Sequence, residues 1–133
     1  FASALASEGF DVLAESRGYT ATHQVLTRHG DLDSGAGAKA ARLLEDAGII
    51  TNMNMLPGDT KALTPSGLRL GVQELTRVGM DQTQMEEVAA LYARVLIKGE
   101  DTQSVKKDVK QLKSEFQTIR YCFNEDNLNG YPF

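Results

Sequence analysis

Only one cysteine, Cys122, occurs in the 133 residues, so no internal disulfide can form. An extracellular chain of this size would often carry paired cysteines, and the expectation is a reducing cytoplasmic location. Long apolar runs are also lacking: none approaches the roughly 18 to 20 residues that span a bilayer. No basic-then-apolar segment opens the sequence, so neither a membrane nor a secretory role is expected. Positive charge is short as well, with 14 Lys and Arg against 18 Asp and Glu and a net charge of −4. Phosphate neutralisation requires a basic face, which excludes a general nucleic-acid binder and means that any anionic ligand needs a local cation. The two histidines, His23 and His29, lack the paired spacing of metal ligands, and Cys122 lies far from both, so no metal site is expected.

The composition itself is that of an ordinary globular domain, with 41% hydrophobic and 24% charged residues and a length suited to one core. The first residue is Phe1, and Phe1 to Glu8 already reads as helix with Phe1, Ala4 and Leu5 on one face and Gly9 as its stop. The expectation is a piece of a longer polypeptide. Phe10-Asp11-Val12-Leu13 and Gln24-Val25-Leu26-Thr27 read as strands around a turn containing Gly18. Ser34 can cap a helix with Ala36, Ala40, Leu43, Leu44 and Ala47 inward, ended by Gly48. Ile49 to Asn52 follows as a strand. From Asn54 to Ser66, Pro57-Gly58-Asp59 and Thr64-Pro65 predict an irregular loop, the kind of segment that often carries function.

Leu68-Arg69-Leu70-Gly71-Val72 alternates, so a strand there turns Arg69 away from its apolar neighbours. Asp81 and Gln84 form a capping-box pattern ahead of a helix over 81–97, with Met85, Val88, Ala89, Tyr92, Val95 and Leu96 in one stripe. Thr102 starts a further helix with Val105, Val109, Leu112, Phe116 and Ile119 inward and Lys106, Lys107, Lys110 and Lys113 mostly solvated. Asn124 to Phe133 has no period and contains an Asn-Gly turn. The order helix, strand, strand, helix, strand, loop, strand, helix, helix predicts an α+β class, a small and mainly antiparallel sheet covered by helices.

Arg69 is the residue with a chemical role to offer. A guanidinium stays charged at every working pH and donates two parallel hydrogen bonds to a carboxylate, and a strand would hold that fork in place. On residue type alone Arg69 is better read as a surface arginine, since most arginines are exposed. Its surroundings, Gly67 and Gly71 on either side and the irregular loop feeding into it, favour a substrate clamp.

Three ordered runs, Asn52-Met53-Asn54-Met55-Leu56-Pro57-Gly58-Asp59, Ser66-Gly67-Leu68-Arg69-Leu70-Gly71 and Leu75-Thr76-Arg77-Val78-Gly79-Met80, together resemble the C-terminal domain of serine hydroxymethyltransferases. The resemblance covers Phe1 to about Leu96 and implies a fold-type I pyridoxal-phosphate enzyme. Residues 1–98 would be its small domain and 99–133 a helical extension and tail. It implies further that Arg69 holds the amino-acid carboxylate and that Asn54 contacts a folate cosubstrate, tetrahydrofolate. Pyridoxal phosphate and its Schiff-base lysine would lie on a large domain that this sequence does not contain. No catalytic residue is therefore expected in this chain, which would be inactive alone and would work in a homodimer or larger assembly. Read from its own residues without that resemblance, Asn54 is better taken as a turn residue bonding its own backbone ahead of Pro57. The family usually has Ser-Pro-Phe-Val-Thr before its Ser-Gly-Ile-Arg. The shorter Lys61-Ala62-Leu63-Thr64-Pro65 lacks the aromatic, which leaves open a folate-independent aldolase or an α-methylserine-type transferase. A non-catalytic module offering Thr102 to Phe133 to a partner is also open.

Other features read as structural. Gly35-Ala36-Gly37 could suggest a phosphate cradle, but Asp31 and Asp33 beside it would repel phosphate, and a helix start is expected. Lys39, Lys61 and Lys98 read as solvated. Met53, Met55, Met80 and Met85 read as fillers of irregular core gaps, with a pocket lining as the alternative.

Overall fold

The computed structural model describes residues 1–120. Helix α1 (Ala2–Ser7) ends ahead of Gly9, whose φ of 96° turns the chain into strand β1 (Asp11–Val12). A 3₁₀ turn over Glu15–Arg17 follows, closed by Gly18 at φ 75°. Strand β2 (Gln24–Arg28) leads to helix α2 (Ala36–Asp46), then to strand β3 (Asn52–Asn54) and, across the irregular loop, to strand β4 (Gly67–Gly71). A short helix α3 (Gln73–Arg77) precedes the long helix α4 (Gln82–Leu96) and helix α5 (Thr102–Glu115).

The four strands run in the order β1-β2-β4-β3 with every pairing antiparallel. The α+β class with a small antiparallel sheet covered by helices is what is found. Leu68 and Leu70 of β4 and Val25 of β2 turn to one face, where α2 packs over β4 and α4 and α5 pack in turn against α2 and each other. Leu5, Leu44, Leu68 and Val105 are fully buried there. The α5 residues Val105 and Leu112 belong to the same apolar cluster as Leu44 and Leu68.

Helix α4 starts as its sequence requires. The Asp81 carboxylate accepts from Thr83 N at 2.8 Å, and the Gln84 side chain accepts from Asp81 N at 3.0 Å, satisfying donors that a helix start leaves free.

Three local expectations need correction. Strand β3 occupies Asn52–Asn54 and not Ile49 to Asn52. The Ile49 N–H donates to Leu44 O and the Gly48 N–H to Glu45 O, so the end of α2 uses those residues and Ile50 is left 88% exposed. The residue entering α2 is Gly35 at φ 73°, a left-handed value that favours glycine, while Ser34 Oγ accepts from Ala36 N nearby. Helix α5 stops at Glu115, capped at its start by Asp101. Beyond it the Arg120 N–H donates to Arg77 O, drawing the chain toward α3 and leaving Ile119 exposed. Helix α3 and the 3₁₀ turn were not anticipated, being too short for a period to show. The Asn124 to Phe133 segment and Cys122 lie outside the described residues.

Candidate functional site: the uncovered face of the sheet

With helices on one side, the other face of the sheet carries Gln24, Leu26 and Arg28 from β2, Asn52 and Asn54 from β3, and Gly67, Arg69 and Gly71 from β4. Arg69 stands on a central strand of this face and is exposed. Leu26 is directly opposite on one side and Asn52 directly opposite on the other. Among the described residues the Arg69 guanidinium has no hydrogen bond and no ion pair, whereas Arg28 on the same face pairs with Asp11 at 3.3 Å. Asn54 is one row along, opposite Gly67, which puts its Cβ about 7–8 Å diagonally from that of Arg69. Its Nδ2 donates to Met55 O at 2.6 Å, the local backbone bond its turn reading anticipates.

The loop from Met55 to Pro65 folds over one end of this face. Leu56, only 3% exposed, rests on Gly67, where a Cβ would run into the Leu56 side chain. On the opposite side of the same strand Gly37 of α2 meets the Gly67 backbone, and a Cβ there would collide with the Gly67 carbonyl oxygen. Both glycines are required by close approach.

Asp59 fixes the loop. Its carboxylate accepts from Leu56 N at 2.8 Å, Ser66 N at 3.0 Å, Ser66 Oγ at 2.8 Å and Asp33 N at 2.7 Å. Asp33 answers it, accepting from Thr60 N, Thr60 Oγ1 and Lys61 N at 2.8, 2.6 and 2.8 Å from a backbone at φ 56°. Desolvation pushes the Asp59 carboxyl up, but its donors together outweigh this and hold it far below the usual carboxylate range. The Thr60 hydroxyl and the Lys61 and Thr60 amides likewise lower Asp33.

A family model for serine hydroxymethyltransferase matches residues 1–92. The chain belongs to the serine hydroxymethyltransferase family. It is 52% identical over 125 residues to the serine hydroxymethyltransferase of Thermococcus gammatolerans, covering 92% of this chain and 29% of that protein. With the enzyme of Thermoplasma acidophilum it shares 44% identity over 135 residues, covering 99% of this chain and 30% of the relative. The chain thus spans under a third of the length of these relatives and matches their C-terminal part. Among solved structures, the L-threonine transaldolase of Pseudomonas fluorescens superposes with a TM-score of 0.79 at 30% identity, over 97% of this chain and 30% of that one. The fold is that of the C-terminal domain of a fold-type I pyridoxal-phosphate enzyme.

Within this family domain the helix start at Gly35-Ala36-Gly37 has no free amides to offer a phosphate. Gly35 N donates to Thr64 O, Gly37 N to Pro65 O and Ala36 N to Ser34 Oγ. His29 is structural: its Nε2 lies 2.8 Å from the buried Thr27 hydroxyl and its ring meets Phe10 edge-on at 6.0 Å. Burial lowers its pKa from 6.5, partly countered by the Asp11 charge. His23 is exposed just before β2, with Val72 N donating to its carbonyl. Met80 and Met85 fill the core, while Met53 and Met55, on and beyond the edge strand, are largely exposed. Lys39, Lys61 and Lys98 are exposed. No lysine stands on the uncovered sheet face, and no group of three or more His, Cys, Asp or Glu among the described residues could hold a metal ion. No described helix is long and apolar enough to cross a membrane.

The place of Asn52 beside Arg69 and the Asp33–Asp59 tie are not legible in the sequence. The alternation Asn52-Met53-Asn54 could have put both asparagines on one face. Nothing in the sequence placed Asn52 opposite Arg69, or Asp33 beside a loop 26 residues away.

Proposed function

We propose that this chain is the carboxylate-reading domain of a pyridoxal-phosphate-dependent serine/glycine hydroxymethyltransferase. The observation that carries the proposal is Arg69, an exposed cation without a partner among the described residues, at the centre of the only sheet face those residues leave uncovered. Its fork would receive the amino-acid carboxylate in two charge-assisted hydrogen bonds and fix which bond at Cα is aligned for cleavage. The described residues fit a carboxylate and not the cofactor itself, since the sheet face offers no lysine and the α2 amides are already used. Pyridoxal phosphate, held by residues of the longer enzyme, would supply the electron sink for the Cα carbanion. The isolated domain is accordingly proposed to be inactive, and the full enzyme to act as a homodimer or larger assembly.

Asn54 shares the face with Arg69 and would contact tetrahydrofolate as one-carbon acceptor, the Asp59-tied loop keeping it in place. A second reading rests on the structural likeness to a threonine transaldolase and on the short Lys61 to Pro65 segment: the same carboxylate clamp with an aldehyde in place of folate as second substrate. Serine cleavage by the full-length protein separates the two. Glycine formation that rises at least tenfold on adding tetrahydrofolate supports the transferase. Serine consumption indifferent to tetrahydrofolate, with formaldehyde and a new β-hydroxy amino acid formed in equal amounts when an aldehyde is added, supports the transaldolase reading.

A further inference from the structure

Five N–H groups belong to a guanidinium, and a carboxylate gripped side-on takes two of them. The others need acceptors once a substrate and the rest of the enzyme exclude water from the sheet face, because a buried donor left unpaired costs more than the bond it lacks. The register shows what stands within reach. Leu26, opposite Arg69 on β2, has no polar group; of the two β2 diagonals, Arg28 is itself a cation held by Asp11 and Gln24 stands further off than a directly opposite residue, its Cβ about 7–8 Å away. Asn54, diagonal on β3, has its amide nitrogen on Met55 O. Asn52 is directly opposite Arg69 on β3, with Cβ atoms about 4.5–5.5 Å apart as cross-strand partners are. Like Arg69 it is exposed and its side chain has no hydrogen bond among the described residues.

We infer that Asn52 is the positioning residue for Arg69: its side-chain oxygen accepts a guanidinium N–H that the substrate carboxylate leaves free and so sets the direction of the fork. The inference rests on the carboxylate reading of Arg69. It assigns Asn52 a role separate from that of Asn54, two residues on, which faces the second substrate. Asn52 acts through Arg69 and not on the substrate, so its effect exists only while the arginine is there.

The test is a double-mutant cycle in the full-length holoenzyme, reading glycine Kd by calorimetry together with serine KM and kcat. Asn52→Ala is expected to weaken glycine binding and raise KM about tenfold, the scale of one hydrogen bond to a charged group, with kcat within about twofold. Asn52→Thr keeps an acceptor oxygen, suits a strand and recovers most of that loss. Gln24→Ala, diagonal to Arg69 on the other neighbouring strand, changes binding less than twofold and shows that loss of any polar neighbour does not suffice. In an Arg69→Ala background, Asn52→Ala has no further effect. Unchanged binding in Asn52→Ala, or an equal loss with Arg69 already removed, overturns the inference while leaving the Arg69 reading intact. Wild-type binding in Arg69→Ala overturns that reading and this inference with it.

Discussion

Two glycines and two aspartates determine where the loop beside Arg69 lies. Gly67 is pressed between Leu56 and Gly37, so Gly67→Ala has to displace the loop. The expected result is a KM for the second substrate raised severalfold, with glycine binding changed far less. Asp59→Ala removes the acceptor shared by Leu56, Ser66 and Asp33, and faster amide hydrogen exchange at Leu56 and Ser66 than at Leu68 is the expected sign. The titrating groups here have separate pH windows. Burial holds His29 neutral with a pKa lowered from 6.5, so its stabilising effect is complete above pH 6.5 and fades as pH falls through the lowered value. Asp59 and Asp33 are held below 3.8, so what they contribute is present above that pH and is lost only as pH falls toward their folded values. Melting curves of the wild type should decline first below pH 6.5, and His29→Gln should flatten that first decline while leaving the one below pH 4. Arg69 was legible because alternation puts a charge opposite two leucines. Asp59 could be seen as a turn residue after Pro57-Gly58, but its partner Asp33 could not, since the pairing arises from the folded position of the loops.

At the scale of elements, α4 was read nearly whole, because a 15-residue apolar period with a capping box leaves little to tertiary context. Asp81→Ala should cost about 1 kcal/mol, measured by denaturant unfolding. Strand β3 was displaced by three residues because Ile49 and Ile50 have strand propensity, yet the backbone bonds that finish α2 claim the first of them. The apolar spacing predicts too long a helix α5, because it runs on through Ile119 after the backbone has left helical angles at Phe116. What the period did identify is its docked side. Val105 is fully buried against the shared core, and Arg94 of α4 binds Glu100 at 2.8 Å and Asp108 at 2.7 Å, tying the helices together. Val105→Ala is expected to destabilise by about 2 kcal/mol, from lost apolar burial and the cavity left behind.

Taken together, the described residues form a sheet that helices cover on one face and leave open on the other. The helices, caps and core explain why the fold holds, and Arg69, without a partner among the described residues, is what the open face offers to the proposed function. The sequence supports this division only partly: alternation put Arg69 outward, while the order β1-β2-β4-β3, which centres it between Leu26 and Asn52, depends on pairings between distant segments. The chain spans under a third of its relatives' length, and the proposed function places carboxylate recognition here and cofactor chemistry on the rest of the enzyme. The most direct measurement is the steady-state kinetics of Arg69→Ala in the full-length enzyme with serine as substrate. The account predicts kcat/KM lower by about a hundredfold or more, with KM raised, as expected on losing two charge-assisted bonds to the carboxylate. Kinetics indistinguishable from wild type would contradict it.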